Sequence, residues 1–194
     1  MSMRLFIAVH PPERLLDQVD ELLRDLGVSA GHPSQADHRS GPTGHHARYG
    51  VRWTTRAQWH VTLRFLGEVD HPAPVIDALD GADLGSMGPI IASMGPAVER
   101  LGTAVLCIPV SGLDRLASAV TRATAELGRP PETRPFRGHL TLARLPRRGK
   151  VDTSPWVGQA IASTWPVEQV HLMRSHTHPD GARYEIVHAT GVGP

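Results

Sequence analysis

Two short stretches, WHVTLRFLG from Trp59 to Gly67 and GHLTLARL from Gly138 to Leu145, each set a histidine and a threonine two residues apart in an apolar run. Side chains alternate between the faces of a strand, so His60 and Thr62 share one face while Val61 and Leu63 take the other. His139 and Thr141 are set against Leu140 and Leu142 in the same way. Histidine titrates near neutral pH, so two of them facing one pocket can divide the work of an acid and a base. Each threonine offers a hydroxyl hydrogen bond to an anionic oxygen, which suits a phosphate or a pentacoordinate phosphorane. One His-x-Thr carries little weight, because half-buried histidines are common and threonine is a good strand former. Two copies with matching apolar flanks carry more: four such groups from two strands would surround one phosphorus atom.

Those strands need a frame that holds them together, and the rest of the chain offers one. MRLFIAV, Met3 to Val9, is a compact apolar strand, and Pro11 and Pro12 are placed to open the next helix. Leu15, Leu16, Val19, Leu22, Leu23 and Leu26 then recur at helical spacing, with Gly27 as C-cap. A second helix is expected from Ala73 to Leu79. A third, from Leu113 to Leu127, carries Leu116, Ala117, Val120 and Ala123 on one stripe and is stopped by Gly128 and Pro130. Further strands are expected at VRW from Val51, IIASM from Ile90 and TAVLCIPV from Thr103. VEQVHLMRS and ARYEIVHAT flank HTHPDG, whose Pro-Asp-Gly signals a turn, so they read as a hairpin. A strand and a helix precede each histidine strand, an order that suggests an internal duplication although the halves otherwise differ in sequence.

Composition narrows the function. At 194 residues and 40% hydrophobic, the chain suits one domain spanning 1–194, with room for two lobes. Its 20 basic and 19 acidic residues nearly cancel, so an anionic substrate must be held by local charge. Cys107 is alone, which excludes an internal disulfide and a cysteine-based zinc site and agrees with a reducing cytoplasm. No apolar segment reaches membrane-spanning length and the first residues lack a signal peptide's core, so a cytoplasmic protein with no membrane partner is expected. Residues 28–50 are rich in Gly, Pro, Ser and His and read as a flexible loop. His32, His38, His45 and His46 lie there at spacings that fit no helical pair of metal ligands, so no metal is assigned.

WHVTLRFLGEV and FRGHLTLARL resemble the two signature motifs of the 2H phosphoesterase superfamily, in particular those of the RNA 2',3'-cyclic phosphodiesterases long called 2'-5' RNA ligases. MRLFIAV with its helix resembles that family's N-terminus and VHLMRSHTHPDGARYEIV its C-terminal hairpin, so the resemblance covers most of the chain. Gly138 departs from it, standing where relatives often carry proline. The resemblance implies an α+β fold of two pseudo-symmetric lobes, each an antiparallel sheet with helices, around a central cleft carrying both His-x-Thr motifs. It also implies a reaction without metal or cofactor, in which water opens a 2',3'-cyclic phosphate at an RNA end and leaves a 2'-phosphate. His139 is then the base that activates water and His60 the acid that protonates O3', while Thr62 and Thr141 hold the non-bridging oxygens. Arg144 would lie near the substrate and Phe65 would stack on a base. Strict alternation turns both away from the histidines, so they reach the substrate only where the strand ends or bulges. Two rivals stay open: the reverse joining of RNA ends through a 2'-5' bond, and a non-catalytic module for RNA ends or nucleotides. RNA ends or small cyclic nucleotides are the expected partners, and a monomer the expected state.

Overall fold

The computed structural model describes residues 2–28, 50–146, 150–178 and 181–193. The expected loop after Val28 and the Pro179-Asp180 turn therefore lie outside the described residues. In chain order the elements are β1 (Met3–Val9), α1 (Glu13–Asp25), β2 (Arg52–Trp53), β3 (Val61–Val69), α2 (Ala73–Asp80), β4 (Ile91–Met94), β5 (Glu99–Leu101), β6 (Val105–Ser111), α3 (Asp114–Ala123), β7 (His139–Arg144), β8 (Ser163–Pro166), β9 (Gln169–His178) and β10 (Gly181–Gly191). The period-two and helical patterns thus locate the main elements. The short β5 and β8 have too few residues to show a pattern.

Every strand pair is antiparallel, and the main path of the sheet runs β10-β9-β1-β3-β7-β6-β4-β8, with β2 added to β7 and β5 to β6. The path is symmetric in kind about its centre: β1-α1-β3 on one side answers β6-α3-β7 on the other. The two lobes are halves of one continuous sheet, joined at the pair Val61 and Leu140. The molecule is thus α+β, as expected, with the motif strands adjacent at its centre.

One face of the sheet is covered by helices. Leu5, Ile7, Val9, Val61, Leu63, Ile108, Leu140 and Leu142 form a single core with Leu15, Val19 and Leu23 of α1 and Leu116 and Val120 of α3. Each large side chain removed from water in this way contributes about 1.5–3 kcal/mol. Helix α1 ends as its sequence predicts. Gly27 adopts φ 68°, which lets the Val28 N–H reach back to the Leu23 carbonyl at 2.8 Å. Helix α3 stops at Ala123, short of the expected Leu127. The buried Arg64 guanidinium donates to the carbonyls of Thr121, Leu127 and Arg129 and to Thr124 Oγ1, and Thr124 Oγ1 donates to Val120 O at 2.7 Å. Arginine and threonine thereby take over carbonyls and turns that a longer helix would have used itself, and the cation sits at the negative end of the helix dipole. Among the described residues, no helix is long and apolar enough to cross a membrane.

Candidate active site

The two motif strands share a backbone device. In the ladder of β1 with β3, Ala8 lies opposite Thr62 and Ile7 opposite Arg64, so Leu63 is an extra residue. In the ladder of β6 with β7, Cys107 lies opposite Thr141 and Leu106 opposite Ala143, so Leu142 is extra. Each strand therefore bulges directly after its motif threonine. A one-residue bulge inverts the phase of alternation beyond it. Phe65, opposite Phe6, and Arg144, opposite Val105, are returned to the face of the histidines. This corrects the expectation of strict alternation: both side chains stand on the motif face because both strands bulge. The first bulge also turns Arg64 inward, where it makes the α3 contacts described above.

Extending the Val61–Leu140 pairing by one residue each way sets His60 across from Thr141 and Thr62 across from His139. The four groups thus meet on one face. The His60 ring packs against Phe6 at 4.9 Å, edge-on against Tyr184 at 5.1 Å, and lies 6.2 Å from the His10 ring. Burial lowers the His60 pKa to about 4, helped by the charges of His10, His139 and Arg144 and opposed by the Gln58 backbone. Imidazole is neutral there at pH 7. His139 is set differently, with Nδ1 2.8 Å from the Arg137 carbonyl. A carbonyl only accepts, so Nδ1 carries the proton, and in the neutral ring the Nε2 lone pair is left for the cleft.

A short network ties the two motifs together. Thr54 Oγ1 lies 2.7 Å from the Thr141 carbonyl and 2.8 Å from that of Leu142, and the Thr54 N–H donates to Leu142 O at 2.8 Å. The indole N–H of Trp59, the neighbour of His60, donates to Thr54 Oγ1 at 3.0 Å. Carbonyls displaced by the second bulge are thereby satisfied from the segment that delivers the first histidine. Just ahead of Trp59, Arg56 bonds Glu13, Asp17 and Asp20 on one side of α1, and Gln58 donates to Ala182 O of β10 at 2.6 Å. Gly138 has its own local reason: a Cβ there would meet Val110 O at 2.3 Å, so glycine allows β6 and β7 to close.

Sequence reasoning missed His10, His171, Phe6 and Tyr184. His10 Nδ1 and His171 Nδ1 are 3.1 Å apart, although 161 residues separate them. Burial and the neighbouring His171 lower the His10 pKa to about 4. No local pattern marks this pair; the signal was the β1–β9 pairing, which sets His171 opposite Ala8. Cys107, opposite Thr141, also lies on the motif face, but burial and Glu99 push its pKa up to about 11, so it stays a thiol. Among the described residues, no three histidine, cysteine or carboxylate side chains converge as a metal-ligand set. A groove of about 970 Å³ opens beside His139, lined also by Thr62, Phe65, Phe136 and Arg137 among others.

Comparison with known proteins places this arrangement. The chain is similar to TT0787 of Thermus thermophilus, at 26% identity over 98% of both chains and a TM-score of 0.69. E. coli LigT complexed with 3'-AMP shares the fold at 22% identity over 100% of both chains, with a TM-score of 0.69. The MHV ns2 PDE domain shares it at 16% identity over 89% of this chain and 98% of its own, with a TM-score of 0.57. A search of curated proteins returned no match. The model of the LigT-like phosphoesterases matches residues 39–87 and 108–184, more than half of the sequence and both histidine motifs. The chain belongs to the LigT-like phosphoesterase family, within the 2H phosphoesterase superfamily.

Proposed function

We propose that the protein hydrolyses the 2',3'-cyclic phosphate at an RNA end to a 2'-phosphate, using its own side chains and no metal. The observation that carries this is the Val61–Leu140 register, which sets the two histidines and two threonines on one face, with the bulge after each threonine adding Phe65 and Arg144 to it. His139 takes a proton from water as its oxygen attacks phosphorus. The P–O3' bond breaks as His60 gives a proton to the departing oxygen. Thr62, Thr141 and Arg144 stabilise the negative oxygens between them, and Phe65 meets the base. His60 must gain its proton before it acts, and an anionic phosphodiester beside it supplies the opposite charge that raises its pKa. One observation favours a second assignment with the two roles exchanged: burial holds His60 neutral, the state of a base. The nucleotide complex of E. coli LigT agrees with a nucleotide-sized ligand here. A monomeric state and a reducing, cytoplasmic setting complete the proposal, the latter suited to the lone Cys107 thiol.

The test is incubation of the purified protein with an RNA ending in a 2',3'-cyclic phosphate in excess EDTA. A 2'-phosphate product is expected. Loss of turnover on chelation, restored by zinc or magnesium, would defeat the metal-free mechanism. A 2'-5' joined product would favour the ligase, and binding without turnover would favour the non-catalytic module.

A further inference from the structure

The row of imidazole rings does not end at His60. Ala8 of β1 lies opposite Thr62 on one side and opposite His171 on the other, and Val9 lies opposite Val61. His10, the next residue along, is therefore set across from His60 on the motif face. The contacts agree with this register. The His10 ring lies 6.2 Å from that of His60 and 4.9 Å from that of His171, and Nδ1 of His10 is 3.1 Å from Nδ1 of His171. Three imidazoles thus run from the first motif across the end of β1 to β9, and the outer two have no part in the chemistry described above.

His60 needs a supply of protons. Burial keeps it neutral, so the proton it gives to O3' has to arrive with the phosphodiester already beside it. By then the substrate covers the cleft side of the ring, while Phe6 and Tyr184 enclose other sides. Of the charged neighbours that act on His60, His139 and Arg144 belong to the reacting face, and His10 leads away from it. His10 is joined in turn to His171, the less deeply buried ring of the two. In a neutral pair that meets through its Nδ1 atoms, one ring donates and the other accepts, and the accepting ring carries its own proton on Nε2. Such a pair can take in a proton at one end and release another at the far end.

We propose that His10 and His171 form a two-ring path that brings a proton from solvent to His60 after the substrate has bound. A proton from a buffer acid adds to Nε2 of His171, the Nδ1 proton of His171 crosses to Nδ1 of His10, and the Nε2 proton of His10 passes to His60 through a bridging water. Each ring of the pair gains one proton and loses one, and His60 becomes the imidazolium that protonates O3'. His139 returns to solvent the proton it took from the attacking water, so the turnover is balanced. Once product leaves, water in the open cleft gives a proton to Nε2 of His10, the shared proton moves back, and Nε2 of His171 releases one, which restores the first tautomers. Both residues act through His60 and touch no substrate atom. The proposal rests on the hydrolytic reading above, because it takes His60 as the acid.

The experiment compares His10→Gln and His171→Gln with the wild type on a 2',3'-cyclic phosphate and on its analogue with sulfur in place of O3'. Glutamine forms hydrogen bonds but does not carry a proton at neutral pH. Each variant should lose about tenfold in kcat on the oxygen substrate, less than removal of the acid itself would cost, with little change in KM. The double variant should lose no more than either single one, since the two rings act in series. On the sulfur substrate, whose leaving group needs little protonation, the variants should keep most of their rate, which also shows that they are folded. An unchanged kcat on the oxygen substrate overturns the path and leaves the hydrolytic reading intact. Equal losses on both substrates also overturn it, because they mark a purely structural role. A wild type that turns over neither substrate defeats the hydrolytic reading and the path with it.

Discussion

The first and second histidine motifs share a bulge and differ in almost everything around it. His60 is enclosed by Phe6, Tyr184 and His10, and its pKa is lowered to about 4. His139 stands at the mouth of a groove, with its tautomer held by the Arg137 carbonyl. The residue turned inward is a helix-capping arginine in one half, Arg64, and a small apolar residue in the other, Ala143. The backbone thus fixes where each histidine goes, and the surroundings keep the His60 ring neutral and fix the tautomer of His139.

The largest effect should come from deleting either histidine. His60→Ala and His139→Ala should each lower kcat by ~10² to 10⁴, the usual contribution of a positioned proton-transfer group. A substrate with sulfur in place of O3', whose leaving group needs little protonation, tells the halves apart. His60→Ala should regain much of its rate on it, whereas His139→Ala should stay slow. Recovery by His139→Ala instead would exchange the roles.

A second effect is on stability. His10 and His60 have pKa values lowered from 6.5 to about 4 in the folded protein. Between those values the unfolded chain binds protons that the folded one does not. Stability is therefore complete above pH 6.5 and declines as the pH falls toward 4, by up to ~1.4 kcal/mol per pH unit for each histidine. Urea melts from pH 7.5 to 4.5 would measure the slope, and His10→Phe should reduce it. A profile that is flat over this range would show that the first pocket is wetter than its packing indicates.

The smallest effect probes the link between the halves. Thr54→Val keeps the shape but removes the hydroxyl that serves Trp59 and the bulge carbonyls. It should cost ~1–2 kcal/mol of stability and about tenfold in kcat, equivalent to ~1.4 kcal/mol of barrier. Thr54→Ser should restore both, and an unchanged kcat in Thr54→Val would mean that the motifs are aligned without this network.

Much of this was legible in the sequence, and the exceptions have physical causes. The period-two runs located the motif strands, and the leucine spacing located α1, because both patterns follow directly from which face is buried. The second bulge was hidden because Leu142-Ala143 lies in an apolar run with no phase marker, and the first because Arg64, two residues after Thr62, reads as an outward residue of an unbroken strand. The end of α3 was hidden because the group that terminates it, Arg64, comes from another strand. The rings around His60 were hidden because they arrive from β1 and β10, at opposite ends of the chain.

That last point also bears on the order in which the protein takes shape during synthesis. Strand β1 has β3 on one side and β9 on the other, while β4 to β8 occupy Ile91–Pro166. As the chain leaves the ribosome, every strand of the second half is available before β9 exists. The half that begins later in sequence can therefore close while β1 still has one edge unpaired and Phe6 and Ala8 uncovered. The pocket of the first histidine is the last part of the molecule to be assembled, and a chain released before β9 and β10 would carry a finished second motif beside a bare first one.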